Sequence, residues 1–347
     1  MQFSTASSPH IFVGPSVSRI MRRVLYAMLP GIIALVWFFG WGVLFNIVIA
    51  SVVAVLAETL MLFLRGKSLR LFLGDCSALV TAWLLAAALP SLLPWWMTVL
   101  GVAFAIVIAK HLYGGLGHNP FNPAMVGYVI LLISFPLEMS TWPSVQHGLD
   151  FADTARLIFL NQLPPDMMLD ALSSATPLDT VKTQLGLGQS MADISTGPVF
   201  GIIAGYGWEW VALGFLAGGL WLVYTRTAAW QIPLGLLSSL ALLAGIFYVL
   251  EPQAYASPWF HVFSVSAIYG AFFIATDPVS ASTTPRGRLL YGAGVGVLTF
   301  VIRVFGGYPD GIAFAVLLMN IATPTIDQYT QPRVFGTVRG RTDQPGK

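Results

Sequence analysis

The chain has 347 residues, 56% of them hydrophobic and only 9% charged, with a mean hydropathy of +0.76. A soluble domain carries about 25% charged residues, so a water-soluble globular enzyme is excluded and a polytopic integral membrane protein is expected. The net charge of +2 argues against a nucleic-acid partner, and the lone Cys76 can neither close an intrachain disulfide nor supply the several thiolates of an iron–sulfur cluster.

Residues 1–23 form a polar N-terminal segment ending in Arg19, Arg22 and Arg23. Because the first apolar run starts only after these arginines, the expectation is a retained first span rather than a cleaved signal. Splitting the apolar runs at Pro, Gly and charge clusters gives ten candidate spans. They lie near 24–42, 44–64, 77–93, 95–113, 123–136, 206–225, 232–250, 260–276, 289–304 and 310–326. These divide into a first five-span unit over 24–136, a loop over 137–197, a second five-span unit over 198–326 and a tail over 327–347.

Lysine and arginine set the orientation. With the N-terminus inside, the cytoplasmic side collects Arg19, Arg22, Arg23, Arg65, Lys67, Arg70, Lys110, Arg226, Arg286, Arg288, Arg333, Arg339, Arg341 and Lys347, leaving only Arg156, Lys182 and Arg303 outside. Both termini are then cytoplasmic, and the loop, with seven acidic and two basic residues, faces outward.

An odd number of spans per unit makes the second copy inverted. Two strings support a repeat: K-H-L-Y-G-G-L-G-H-N-P-F-N-P-A from Lys110, and I-R-V-F-G-G-Y-P-D-G-I-A-F-A-V from Ile302. Each runs from a basic residue through an aromatic and a Gly pair to a turn and a short apolar stretch. Broken segments at matching places in two halves point to a midplane site, since freed backbone groups must be satisfied there; equally, they read as tight helix-to-helix turns. The expected fold is an all-α polytopic membrane protein of about ten transmembrane helices, in two inverted five-helix repeats with short or broken helices.

Inside the outward loop, Asp170 to Thr180 is polar and hydroxyl-rich. Thr176-Pro177-Leu178-Asp179 reads as a helix start, with Thr at N-cap, Pro at N1 and an acidic residue at N3. The ordinary reading of Thr176 is a cap. The same geometry also presents free N–H groups and a positive dipole end to a phosphate, although Asp179 would repel one.

Elsewhere the intramembrane polar groups have ordinary readings beside functional ones. Asp75, Ser77 and Thr81 suit capping and interhelical hydrogen bonds. Asp277, before a Pro and near Arg286 and Arg288, suits a solvated helix end, while as an intramembrane acid it is a functional candidate by default. Glu58 is expected to pair with Arg65 on its own helix face or to snorkel. Asn122-Pro123-Ala124 is similar to the half-helix signature of water channels, but the second half carries no matching copy. His10, His111, His118, His147 and His261 lack metal-ligand spacing, so no metal site is expected. Trp95, Trp96, Trp142, Trp208, Trp210 and Trp259 fall near span ends as interfacial anchors.

These residues carry a family resemblance. Asp170-Ala171-Leu172-Ser173-Ser174-Ala175-Thr176 resembles the flavin-attachment motif (Asp, two variable residues, Ser or Thr, Gly, Ala, Thr) of the family formed by the D-type subunit of the Rnf electron-transport complex and the B-type subunit of the sodium-translocating NADH:quinone reductase. The likeness covers nearly the whole chain and includes G-D-C-S-A-L-V-T-A-W-L-L from Gly74, H-L-Y-G-G-L-G-H-N-P-F-N-P-A from His111, A-T-D-P-V-S-A from Ala275 and G-G-Y-P-D-G-I-A-F-A-V-L-L-M-N from Gly306. Length and the lack of a long N-terminal extension favour the Rnf member. The resemblance implies FMN joined through its phosphate to Thr176 by a flavin transferase outside the cytoplasm, with Asp170, Ser173, Ser174 and Ala175 completing the motif. It further implies a subunit, incomplete as an enzyme alone, that passes electrons between NADH and ferredoxin or a similar carrier. It implies, too, partner subunits holding iron–sulfur and flavin centres, coupling to sodium or proton movement across a bacterial inner membrane, and a periplasmic FMN loop. Asp75 and Asp277 become candidates for an ion site or a second, noncovalent flavin such as riboflavin. No residue of this chain is expected to act as a catalytic acid or base. Two departures stand out: Ser174 replaces the usual Gly, and Gly205 to Trp210 lacks the expected Ser-rich pattern, so Glu209 is assigned no flavin contact. The competing reading is a small-solute transporter or channel with inverted repeats and no covalent flavin.

Overall fold

The computed structural model describes residues 16–145, 148–163 and 172–332. Asp170, residues 1–15 and the basic tail residues Arg333, Arg339, Arg341 and Lys347 lie outside the described residues.

The described chain is mostly helical. Helix α1 runs Val17–Phe39, α2 Gly42–Leu64, α3 Leu69–Leu73 and α4 Ser77–Ala86. Helix α5 starts as Trp95–Ala103 and continues as a π-helix over Phe104–His111, and α6 is Pro123–Ser134. The loop holds α7 Pro136–Ser140, α8 Phe151–Leu160, α9 Pro177–Gly186 and α10 Met191–Ile194. Helices α11 Trp208–Tyr224, α12 Gln231–Leu250 and α13 Pro258–Phe263 follow. Then come α14 Val265–Tyr269 with a π-helical continuation Gly270–Ile274, α15 Pro285–Phe305 and α16 Ile312–Thr330.

Helices α1, α2, α12 and α15 are long and apolar enough to cross a membrane. A spanning helix needs about 20 residues at 1.5 Å rise each. Their outward faces are apolar too: on α2, Val48, Val52, Leu56, Leu60 and Phe63 are all more than half exposed. A stripe of that extent is costly in water and neutral in hydrocarbon. Shorter apolar helices, α4, α5, α6, α11 and Val265–Ile274, complete the apolar set. The run expected as one span over 77–93 is helical only to Ala86, and the one over 260–276 breaks at Ser264, which leaves the helix with φ −60° and ψ 125°. Apolarity continues through both breaks, so hydropathy alone does not register them.

Helix α1 packs along α11 at very close range. A Cβ on Gly218 would sit 1.8 Å from the carbonyl oxygen of Ala27, so this crossing requires glycine. The loop is not a free appendage. Strands β1 (Trp142–Pro143) and β2 (Ser173–Ser174) pair antiparallel, with Trp142 opposite Ser174, and the Ser144 amide donates to Leu172 O at 2.8 Å. Beneath them, Leu149, Leu157 and Leu172 form one small core and Val181, Ile194, Ala204, Ala256 and Phe260 another.

Candidate functional site

Thr176 is the N-cap of α9. Its backbone is extended, and its Oγ1 accepts the Asp179 amide at 3.2 Å. Pro177 at N1 has no amide, and the Thr180 amide bonds Thr176 O, which leaves the Leu178 N–H as the remaining first-turn donor. Ser173 and Ser174 lie in β2, half-buried, while Ala175 is exposed. Because Ser174 is an extended strand residue rather than a left-handed turn, its replacement of the usual glycine costs no backbone strain.

Thr176, Pro177 and Asp179 line a cavity of about 360 Å³. That is within the roughly 300–1,000 Å³ of small-molecule and cofactor sites. Its walls are mainly apolar and aromatic, including Trp142, Trp208, Tyr128, Tyr269 and Tyr308, with Ser264, Ser266 and Asp310 as polar points. Trp142 and Trp208 are therefore not membrane anchors as their positions near span ends predict. They meet edge to face at 4.8 Å and both pack on Phe39. Trp95, Trp96, Trp210 and Trp259 do remain exposed.

Two devices hold this corner. Lys182, one turn beyond Asp179 on α9, donates to the carbonyls of Arg303, Gly306 and Tyr308 at 3.1, 2.5 and 2.8 Å, capping the C-terminal end of α15 with a cation. Burial lowers the Lys182 ammonium from its ordinary value while Asp179 opposes the shift; burial raises the Asp179 carboxyl, with Lys182 opposing. The second device is Glu209, buried at the start of α11, whose carboxylate accepts the amides of Ile202, Ile203 and Ala204 at 3.4, 3.0 and 3.4 Å. That loop delivers Gly205 against Pro177, where a Cβ would stand 2.1 Å from Pro177 Cγ. Glu209 thus shapes the cavity wall through the backbone.

A second, smaller cavity of about 80 Å³ lies at the other end of α4, lined by Ser77, Thr81, Lys110, Asn119, Thr276 and Asp277 among others. Asp277 closes a local turn, accepting Val279 N at 3.4 Å and Ser280 Oγ at 2.7 Å. Asn119 Oδ1 is buried there without a hydrogen-bond partner among the described residues. Asp75 does not line this cavity; its carboxylate accepts the Ser77 amide at 2.7 Å at the start of α4. The structure therefore does not bring Asp75 and Asp277 into one site.

Beside this cavity Lys110, fully buried, donates to both Glu58 oxygens at 2.9 and 2.8 Å and to Ser77 Oγ at 2.9 Å, with His111 Nε2 at 3.0 Å from Glu58. The partner of Glu58 is thus Lys110 and not Arg65, whose Nη1 instead meets His111 Nδ1 at 3.4 Å. At the opposite end of the fold Arg303 is likewise buried, donating to Asp310 at 3.1 Å, to His261 O at 2.9 Å and to Ser266 Oγ at 3.0 Å.

The two cavities stand back to back. Leu84, Pro123 and Thr276 line the smaller and Ala87, Met125 and Ile274 the larger, so each chain segment passes from one to the other within about one turn. This septum is cross-tied by Asn122 Nδ2 donating to Ile274 O at 3.1 Å and by the Tyr269 hydroxyl donating to Leu84 O at 2.8 Å.

Residues 4–336 match the model of the NQR2, RnfD, RnfE family. The D-type subunit of the ion-translocating oxidoreductase complex of Salmonella arizonae is 52% identical over 352 residues, covering 98% of this chain and 100% of that protein. Proteins of the same name from Erwinia tasmaniensis and Escherichia coli O127:H6 are also 52% identical, with the same coverage.

Proposed function

The chain belongs to the NQR2, RnfD, RnfE family and is a multi-pass membrane subunit of an ion-translocating oxidoreductase complex, and from that premise we propose that it carries FMN on Thr176. The observation that carries this reading is a half-buried threonine hydroxyl at the N-terminus of α9, opening onto an aromatic-lined cavity of about 360 Å³. When bound, FMN supplies the electron-accepting and electron-donating chemistry, and the protein supplies tether, shelter and orientation. Thr176 Oγ1 would be the ester oxygen, the free Leu178 amide could serve the phosphate, and Trp142, Trp208 and Tyr128 would offer an apolar wall to a flat ring. Lys182 and Glu209 hold the tether and the wall in register.

In the finer reading, ten crossings form two inverted units in a bacterial inner membrane, both termini are cytoplasmic, and the Thr176 loop is periplasmic, where a flavin transferase reaches it. Matching packing supports the repeat: α2 lies on α4 and α5 as α12 lies on α13 and α15, and the buried Lys110 and Arg303 each close an ion pair, at the ends of α5 and α15. The partners are the other subunits of the complex, and the coupled ion is sodium or a proton. The smaller cavity, with Asp277 and the unpartnered Asn119 carbonyl, is the candidate ion or second-flavin site, at about 80 Å³ nearer an ion with waters than an isoalloxazine ring.

The test is denaturing electrophoresis of protein made in a host with the flavin transferase, viewed under ultraviolet light. A yellow-green band in the parent that disappears in Thr176→Ala is expected. A dark parent band would abandon the tether and leave a transporter with inverted repeats as the better reading.

A further inference from the structure

Helix α8 has three faces. Thr154, Leu157 and Ile158 turn inward, where Leu157 joins Leu149 and Leu172. Asp153 and Arg156 form a face paired at 3.2 Å with the arginine side chain well exposed, and Leu160, 62% exposed, ends it. The third face is apolar and partly exposed: Phe151, Ala155 and Phe159 recur every four residues, one stripe on a helix, and the two phenylalanines are 57% and 45% exposed.

That stripe has a neighbour that says what covers it. Phe151 meets Trp41 edge to face at 5.8 Å and Phe45 at 4.9 Å, and Phe159 meets Phe45 at 5.9 Å. Trp41 and Phe45 open the outward ridge of α2 that continues through Val48, Val52 and Leu56. The apolar face of α8 thus prolongs the lipid-facing surface of a spanning helix. Phe45 lies three residues, about 4.5 Å, inside the start of α2. This depth matches the shallow end of the roughly 5–10 Å to which surface-lying amphipathic helices sink.

We infer that α8 is a membrane-surface helix whose Phe151–Ala155–Phe159 stripe is immersed in phospholipid, on the side of the membrane that bears Thr176. Its inner face carries that anchorage onward, since Leu157 packs with Leu172, the residue that leads into β2 and the Thr176 turn. The lipid surface then sets the height of the loop. The inference rests on the membrane placement proposed above and not on the cofactor, so a Thr176 found without flavin leaves it intact.

Photo-crosslinking in the assembled complex in native membranes tests it, with benzoylphenylalanine at position 159 and, as a control on the polar face, at position 156. A ketone that inserts into C–H bonds is expected to yield a phospholipid mass adduct several-fold more abundant at 159 than at 156. A cross-link from 159 to another subunit would overturn the inference in favour of a protein partner. Absence of any adduct at 159, or equal lipid adduct at both positions, would overturn it in favour of a solvated helix or nonspecific contact.

Discussion

Lys182 and Asp179 show how one helical turn can hold a corner of the fold. Lysine in an acidic loop reads as a solvated charge, and nothing in the sequence near it names the carbonyls of Arg303, Gly306 and Tyr308, which are more than a hundred positions away. Replacing Lys182 with Met strands those acceptors, each unmet buried group costing about 1–3 kcal/mol. Amide exchange of α9 should accelerate in Lys182→Met and recover in part in Lys182→Arg; equal protection in parent and Met variant would reject the clamp. Asp179 has the opposite character. Burial raises its carboxyl above the ordinary 3.8, so the folded loop binds the proton more tightly than the unfolded chain. Its contribution to stability is full below the ordinary range and is lost as pH rises through the raised value. Asp179→Asn should therefore flatten the pH dependence of α9 protection just above that range, measured after correction for intrinsic exchange. Thr176 itself was legible, because Thr, Pro and Asp in that order define a helix start by local chemistry alone, and the Oγ1 to Asp179 amide contact follows from it. Glu209 was not, since its three amide partners depend on a loop path that spacing does not encode.

Among the elements, the long helices announce themselves and the broken ones do not. The apolar runs that became α1, α2, α12 and α15 have the length a bilayer demands, whereas the ends of α4 and α13 occur inside continuous apolarity. Pairing between elements was equally hidden. Glu58 and Arg65 share a helix face, and the reading that joined them is the local one, yet Lys110 approaches from the end of α5, 52 positions on. A buried charge that loses its partner costs about 3–5 kcal/mol, whereas replacing both charges with apolar groups is often neutral. Glu58→Gln should lower the thermal midpoint of the purified subunit markedly, and Glu58→Leu combined with Lys110→Met should regain much of the loss. A double variant as unstable as the sum of the single ones would show that the pair is not the coupling unit.

At the scale of the whole molecule, the two halves meet at the Gly218 crossing of α1 with α11 and at the septum between the cavities. The proposed repeat was visible in sequence only as a basic residue before a Gly pair in each half; that both residues, Lys110 and Arg303, are buried in ion pairs emerges only from tertiary packing. Tyr269→Phe removes one of the two ties across the septum and leaves Leu84 O without its donor, costing about 1–3 kcal/mol. Proteoliposomes holding the variant complex should leak cations faster than the parent at rest, and an unchanged leak would show that the septum does not depend on this bond.

The thinness of that partition has an electrical consequence. If water reaches each hollow from its own side of the membrane, past the tethered group in the larger one, the transmembrane voltage falls chiefly across the single turn of Leu84–Ala87, Pro123–Met125 and Ile274–Thr276 instead of across the full bilayer thickness. A monovalent cation stepping through it would then traverse most of the field, about 2.3 kcal/mol per 100 mV, in one short hop.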